Sequence, residues 1–333
     1  MKIDIVFTWV DGSDKNWLEK RNFQAKKAGK ILNSSISEAL FTDNDELKYS
    51  LRSINEYAPW INNIFIVTDN QIPKWLNTNN PKINIIDHSD IIDKEFLPTF
   101  NSCVIENHLH KIKKLSEHFL YFNDDMFLGN ITEVNDFFSS TGKPRVFVSE
   151  LIPVPNKKLI DINLRPIEKR NSYQYNMVNC RKLIFEKFGK ITYRSIRHSV
   201  KPFSKSNLTE LENILTEKVN ETNKNKFRTN DDIILTYLFE FYSIVSKNGM
   251  PKYLMTTDTN KGFYNLLNKI YKKFTFGFIN MHEKDAEEHL MRIKSAKPFT
   301  FCINQTPETP ADNLPKLKLF FEDYFPKKSP YEI

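Results

Sequence analysis

The hydrophobic pattern of the first third of the chain changes period several times. IDIVFTWV (residues 3–10) is a short β-branched run of the kind a strand buried on both faces requires. Residues 43–60, DNDELKYSLRSINEYAPW, switch to helical spacing, with Leu47, Leu51, Ile54 and Ala58 on one face. Asp43 or Asn44 stands where an N-cap belongs, and Pro59 stops the helix. NIFIVTD (63–69) and INIIDHSD (83–90) read as strands, NSCVIENHLHKIKKL (101–115) as a helix, and FLYFNDD (119–125) as a further strand. Such alternation predicts an α/β fold built on a largely parallel, Rossmann-like sheet covered by helices.

The second half reads as more helical. Helices are expected over 175–189, 206–219 and 231–245, the last with Ile234, Leu238, Phe241 and Val245 on its apolar face. Polar NETNKNKFRTN (220–230) separates two of them as a loop, and FTFCIN (299–304) reads as one more strand. Periodicity fades elsewhere past residue 250.

The polar residues become informative where the strands stop. IDIVFTWV is followed by Asp11 and Asp14, NIFIVT by Asp69, INII by Asp87 and His88, and FLYF by Asn123, Asp124 and Asp125. Parallel strands open their C-termini on one edge, the edge where open α/β sheets bind ligands. Any one strand-terminal Asp is more often a turn former, because its side chain satisfies turn amides. Two adjacent carboxylates at the end of so apolar a run favour ligation instead. Hard oxygen donors in that number suit Mg²⁺ or Mn²⁺ beside a diphosphate.

Composition narrows the partners. The chain has 333 residues, 40% hydrophobic and 27% charged, enough for a large core in one domain with or without a smaller appendage. Lys and Arg outnumber Asp and Glu by 48 to 41, a mild excess that solubility alone explains and that also accommodates an anionic ligand. Cys103, Cys180 and Cys302 are far apart and lack CxxC spacing, which argues against a disulfide framework or zinc knuckle and for a reducing cytosol. Asp4 and Asp11 interrupt the opening run, so it does not read as a signal peptide, and no apolar stretch is long enough to span a bilayer. Membrane contact is therefore expected only as a peripheral contact.

Candidate bases and cations complete the set. His198, in RSIRHSVKPF, lies in a basic stretch that would keep it neutral and able to accept a proton. Arg52 and Arg228 carry forks suited to phosphate. His108 and His110 cannot share a helix face, which speaks against zinc there, whereas Glu106 and His110 stand at i,i+4. YKKFTFGF (271–278) interleaves Lys with aromatics, as a membrane-contacting patch would; a half-buried strand with a solvated edge is the commoner reading of such a piece. Nucleic acid is not expected from one short stretch.

Taken together, these stretches resemble the Stealth family of sugar-phosphate transferases. IDIVFTWVDGSD resembles its first conserved region, and DNDELKYSLRSINEYAPWINNIFIVTDNQIPKWLN with LPTFNSCVIENHLHKIKKLSEHFLYFNDDMFLG its second. YNMVNCRKLIFEKFG and RHSVKPFSKSNLTELE resemble the third, and FTFCIN with FPKKSPYE the fourth. Asn304-Gln305 stands where family members often have Asn followed by Asp, and HSVKPF is poorer in His and Pro than the usual third motif.

The resemblance implies one catalytic domain over 1–333, with a nucleotide-binding core similar to the GT-A type at 1–150. A helical acceptor and catalytic subdomain would follow at 151–250, and a segment returning to the core at 251–333. It implies transfer of hexose-1-phosphate or N-acetylhexosamine-1-phosphate from a UDP-sugar to a sugar hydroxyl, releasing UMP, in bacterial capsule or exopolysaccharide synthesis. Asp11, Asp125, His198 and Arg228 are the expected catalytic set, and Asp124 with Asp125 the ligands for Mg²⁺ or Mn²⁺. Asp14, Arg52, Asp69, Asn123 and Asn304 would bind the donor. The acceptor would be an oligosaccharide or lipid-linked glycan, and the location cytoplasmic, with any membrane contact at the inner face. Two rivals fit the same residues: a metal-dependent glycosyltransferase releasing UDP, and a carbohydrate-binding module without activity.

Overall fold

The computed structural model describes residues 1–29, 41, 43–149, 172–190, 192–257, 273–306 and 308–333. The 150/151 boundary expected between subdomains lies outside them, as do Tyr271 and Lys272 of the expected basic-aromatic patch. Among the described residues the chain is α/β with mostly parallel sheets, as the alternating periods predict.

Strand β1 (Ile3–Thr8) forms the centre of the main sheet, beside β2 (Ile64–Thr68), β3 (Ile83–Asp87) and β4 (His118–Asn123). The order is β3-β2-β1-β4-β7, all parallel except β7 (Lys201–Ser204), which runs antiparallel to β4. β1, β2 and β3 step one way across the sheet and β4 starts on the other side of β1, so the direction of winding reverses between β1 and β4. That reversal is the switch point at which open α/β sheets leave a crevice. Asp4, buried inside β1, interrupts the apolar run at no loss of pairing. Its carboxylate accepts from Asn62 Nδ2 at 2.7 Å, Asn63 N at 3.0 Å and Ser116 N at 2.7 Å, tying together the loops at the opposite edge.

Helix α1 (Lys15–Ala28) follows β1 and α2 (Glu46–Tyr57) precedes β2. Leu47, Leu51, Ile54 and Ala58 are all buried against the sheet, as their spacing requires. The helix expected over 101–115 stops sooner: α3 covers Ser102–His108 and a 3₁₀ turn continues to Lys111. Glu106 and His110 therefore do not pair; Glu106 accepts from Thr236 Oγ1 at 2.6 Å and His110 Nε2 lies 2.7 Å from Glu212. Helix α4 (Ser172–Phe188) packs on α7 (Leu235–Ser246), while the expected helix 206–219 breaks at Leu215 into α5 (Lys205–Ile214) and α6 (Thr216–Asn223).

After Asp125 the chain leaves the main sheet. β5 (Met126–Leu128) joins a second sheet of order β5-β11-β10-β9, in which β11 (Thr300–Asn304) pairs antiparallel with β5 and parallel with β10 (Thr275–Asn280). β9 is Met255–Thr256, and a third, two-stranded sheet joins β6 (Arg145–Val148) to β8 (Met250–Tyr253). The 271–278 stretch is thus partly β10. Phe274, Phe276 and Phe278 pack into the core and Lys273 pairs with Asp136 at 2.9 Å, so the strand reading holds there. Helices α8 (Ala286–Ala296) and α9 (Asn313–Tyr324) cover the second sheet. Among the described residues no helix is long and apolar enough to cross a membrane.

His108, fully buried, donates from Nδ1–H to Val104 O at 2.7 Å. Burial pushes its pKa down to about 4, so the folded chain keeps it neutral where the unfolded chain takes up a proton near 6.5. The unfolded state thus binds more protons between those values, and stability falls as pH drops below about 6.5. His108→Gln should flatten this acid limb by up to about 1.4 kcal/mol per pH unit in urea titrations at successive pH values; an unchanged slope would mean His108 is protonated in the fold.

Candidate active site at the switch point

Thr8 of β1 and Asn123 of β4 face each other as the last paired residues of the two central strands. Past them the chains diverge into Trp9-Val10-Asp11 and Asp124-Asp125. The Asp11 loop is fixed by Gln71, which accepts from Asp11 N at 2.9 Å and donates to Asp11 O at 2.9 Å. One Asp11 oxygen accepts from Ser13 N at 2.8 Å and Ser13 Oγ at 2.6 Å. Asp11, Gly12, Ser13, Trp17, Arg21, Phe41 and Asp43 line a cleft of about 290 Å³. Gly12 is required there: a Cβ would stand 2.5 Å from both Cβ and O of Phe41.

Asp43 joins this cleft to the paired aspartates. It does not cap α2, which begins at Glu46 after Asp45 takes a left-handed conformation (φ 68°). Its carboxylate accepts from Trp9 Nε1 at 3.1 Å instead. Burial raises the pKa of Asp43, and burial followed by the charges of Asp124 and Asp43 lifts Glu46 well above the usual carboxylate range. Asp124 is raised well above its ordinary value by burial, then by Asp125 and Asp43. Asp125 is pushed up to about 6 by burial, held back by a hydrogen bond from Cys302. Four carboxylates thus crowd together here, and two of them, Asp43 and Glu46, were not among the predicted site residues. Gln305 faces them as a neutral amide, accepting from Asn44 Nδ2 at 2.8 Å and donating to Glu46.

β11 clamps Asp125 twice. Ile303 N donates to Asp125 O at 3.1 Å, and Cys302 Sγ donates to Asp125 Oδ2 at 3.2 Å. The other carboxylate oxygen, Oδ1, is buried and accepts no hydrogen bond. His198 arrives by a different route. Lys201 of β7 pairs antiparallel with Tyr121, so the residues before Lys201 run past the C-terminal end of β4. The Nδ1 of His198 lies 3.2 Å from Tyr173 Oη and 3.5 Å from Tyr237 Oη. Burial, then the charges of Lys201 and Arg228, depress its pKa to about 3.

Arg228 is presented by the loop between α6 and α7, and that loop is wrapped around one carboxylate. Asp232 accepts from Asn101 Nδ2 at 2.7 Å, Asn225 Nδ2 at 2.6 Å, Thr229 N at 2.9 Å and Thr229 Oγ1 at 2.8 Å. The guanidinium donates to Ser102 Oγ at the start of α3, and Glu106, Tyr173 and Asp232 lie within its field. Lys201 pairs with Glu240, both almost fully buried, with its ammonium 3.9 Å over the Tyr237 ring.

The remaining predicted positions are placed differently. Asp14 caps α1, accepting from Trp17 N at 2.8 Å, and Asp69 forms an ion pair with Lys20. Asp87 accepts from Asn70 N at 2.7 Å and Ser89 N at 2.9 Å, so the β3 carboxylate serves a turn. Arg52 is bound in a two-armed pair to Glu332, at 2.9 and 2.7 Å, and donates to Phe325 O at 2.9 Å; it anchors the C-terminal residues. Asn304 donates to Asn280 Oδ1 at 2.9 Å on the neighbouring strand, one residue before Gln305. Asn123 ends β4 between Thr8 and the paired aspartates. Sequence reasoning missed Glu46, Glu106, Tyr173, Tyr237, Asp232 and Cys302; Asp43 was noticed only as a cap.

Three stretches match conserved regions of Stealth proteins: Stealth protein CR1, conserved region 1, over residues 1–24; CR2, conserved region 2, over 40–146; and CR3, conserved region 3, over 197–244. The chain is 34% identical to the exopolysaccharide phosphotransferase SCO6023 of Streptomyces coelicolor, over 99% of this chain and 52% of that protein. It thus spans about half the length of that relative. It is 33% identical to the capsular polysaccharide phosphotransferase LcbA of Neisseria meningitidis, over 97% of this chain and 83% of that protein. Among solved structures, galactosyltransferase LgtC in complex with donor and acceptor sugar analogs aligns over 96% of this chain and 95% of that one, with a TM-score of 0.42 and 9% identity.

Removing one partner of the Lys201–Glu240 pair leaves an uncompensated buried charge. Lys201→Met should cost about 3–5 kcal/mol in urea unfolding, and Lys201→Met with Glu240→Leu should recover most of it. A double variant as unstable as the single one would show that the pair is not what the site relies on.

Proposed function

The chain belongs to the Stealth family, and from that membership and the rim geometry we propose that it moves a sugar phosphate between a nucleotide sugar and a glycan. The donor is a UDP-sugar, the group transferred hexose-1-phosphate or N-acetylhexosamine-1-phosphate, and the acceptor a hydroxyl of an oligosaccharide or lipid-linked glycan. UMP leaves, and the product serves capsule or exopolysaccharide synthesis. The observation that carries this reading is the meeting of Asp125 with His198, whose donor atoms lie within 4.8 Å of one another, with Arg228 acting on that imidazole.

The acceptor oxygen attacks the sugar-proximal phosphorus, the bond from that phosphorus to the bridging oxygen of UMP breaks, and the anomeric C–O bond stays intact. Reactions of this kind depend mostly on positioning and charge neutralisation. His198 takes the hydroxyl proton at Nε2 while the phenols of Tyr173 and Tyr237 hold Nδ1. A pKa near 3 makes a weak base at neutral pH, but Lys201 and Arg228 contribute to that depression. Donor phosphates offset both charges, so the imidazole gains basicity as the site fills. Arg228, steadied through the Asp232 loop, donates to the oxygens of the transferring phosphoryl group. The cleft beside Asp11 and Ser13, with Trp17 and Phe41 in its wall, seats the nucleoside.

The acidic rim fits a hard divalent cation. Its donors are oxygens, burial raises their pKa values with neighbouring carboxylates adding to the rise at Glu46 and Asp124, and Asp125 Oδ1 has no hydrogen bond. Asp124 and Asp125 would hold Mg²⁺ or Mn²⁺, with Asp43 and Glu46 adding to the negative field. When bound, the ion supplies neutralisation of the diphosphate charge. In this reading residues 1–150 bind the nucleotide, 151–250 carry His198 and Arg228, and 251–333 return to brace the rim.

The test is a panel of nucleotide sugars with Mg²⁺ or Mn²⁺ and glycan acceptors, with identification of the nucleotide released. UMP is expected; UDP would favour a glycosyltransferase, and no turnover a binding module. His198→Gln and Asp125→Asn should each lower kcat by about 10²–10⁴-fold.

A further inference from the structure

We propose that Asp125, His198 and Cys302 form a binding site for a borderline-soft divalent cation, best suited to Zn²⁺, and that an ion held there removes His198 from proton transfer. One donor atom from each of the three residues lies within 4.8 Å of the other two. Carboxylate oxygen, imidazole nitrogen and thiolate sulfur together are a zinc- or cobalt-type donor set, and sulfur is a poor partner for Mg²⁺ or Mn²⁺. Asp43, Glu46 and Asp124 offer oxygen alone, so the crevice holds two kinds of donor side by side.

The three donors are held by rigid parts. Cys302 is fully buried in β11, and its strand fixes Asp125 through the Ile303 N to Asp125 O bond at 3.1 Å. Asp125 Oδ1 is buried and without a hydrogen bond, a state that costs free energy until something occupies it. His198 has the outer partner a ligating imidazole requires. If Nδ1–H donates to Tyr173 Oη, 3.2 Å away, Nε2 is left with its lone pair.

Binding replaces a proton at sulfur. Cys302 Sγ already donates to Asp125 Oδ2 at 3.2 Å, so the sulfur carries its proton before an ion binds. Formation of the sulfur–metal bond breaks S–H and releases one proton to solvent per ion. The claim of inhibition rests on the function proposed above; the claim of binding does not.

The probe is Co²⁺ added to the metal-free full chain, with protons counted by an indicator dye. One equivalent should raise a sulfur-to-cobalt charge-transfer band and release one proton. Cys302→Ser should lose the band while keeping its far-ultraviolet circular dichroism, and Cys103→Ser and Cys180→Ser should retain it. His198→Gln should weaken Co²⁺ binding by about 10-fold or more. In transfer assays with excess Mg²⁺, Zn²⁺ should inhibit the wild type, and the ratio of rates with and without Zn²⁺ should approach one in Cys302→Ser. Absence of the band in the wild type, or its survival in Cys302→Ser, would overturn the proposal even if some variants fail to fold. A Cys302-dependent band in a protein without transfer activity would uphold the site and defeat the functional reading.

Discussion

Like charges forced together where β4 ends beside the start of α2 govern this molecule. Asp43, Glu46, Asp124 and Asp125 all have pKa values raised by burial, and the charge of Asp43 adds to the rise at Asp124 and, with that of Asp124, to the rise at Glu46. Nothing in a stability-driven sequence calls for such crowding, which costs free energy wherever the groups ionise. It persists because the scaffold leaves these residues no alternative position. β1 and β4 are paired along six residues to the edge of the rim, β11 clips Asp125 by backbone and thiol, and Gln305 meets Glu46 with an amide rather than a fifth charge.

Opposite the acidic rim stands a cationic wall reached by another part of the chain. The antiparallel β7 brings Lys201 and His198 back along β4, and the Asp232-centred loop presents Arg228 over α3. Acidic and basic halves therefore meet only after parts of the chain as distant as Asp125 and His198 have folded together. A ligand that carries a diphosphate at one end and reacts with a hydroxyl at the other is complementary to both halves. The strand-end carboxylates away from the switch point show the contrast: Asp69 pairs with Lys20 and Asp87 serves a turn.

The parts of the fold that were legible in the sequence are those with local causes. The periods of IDIVFTWV and DELKYSLRSINEYA specified β1 and α2 closely, because burial on one or two faces leaves a direct imprint on spacing. Asp124 and Asp125 stood out because two charges ending an apolar run have few structural uses. Residues defined by distant partners were not legible. Arg52 looks like a phosphate fork until Glu332, 280 positions away, occupies it, and Cys302 looks inert until β11 pairs with β5 beside Asp125. Glu46 resembled an ordinary first-turn helix acid. Asp43 resembled a cap, a role that the left-handed Asp45 removes by delaying the helix to Glu46. The break at Leu215 and the short α3 were hidden because helical spacing continues across them.

The most direct test of the crowded rim is thermal unfolding of the wild type and Asp125→Asn, each with and without Mn²⁺, at neutral pH. If repulsion among these carboxylates is what a cation relieves, Asp125→Asn without metal should melt above the wild type, and only the wild type should gain stability from Mn²⁺. A variant that melts lower and still gains as much from Mn²⁺ would contradict the claim that these four side chains form one cation-dependent site.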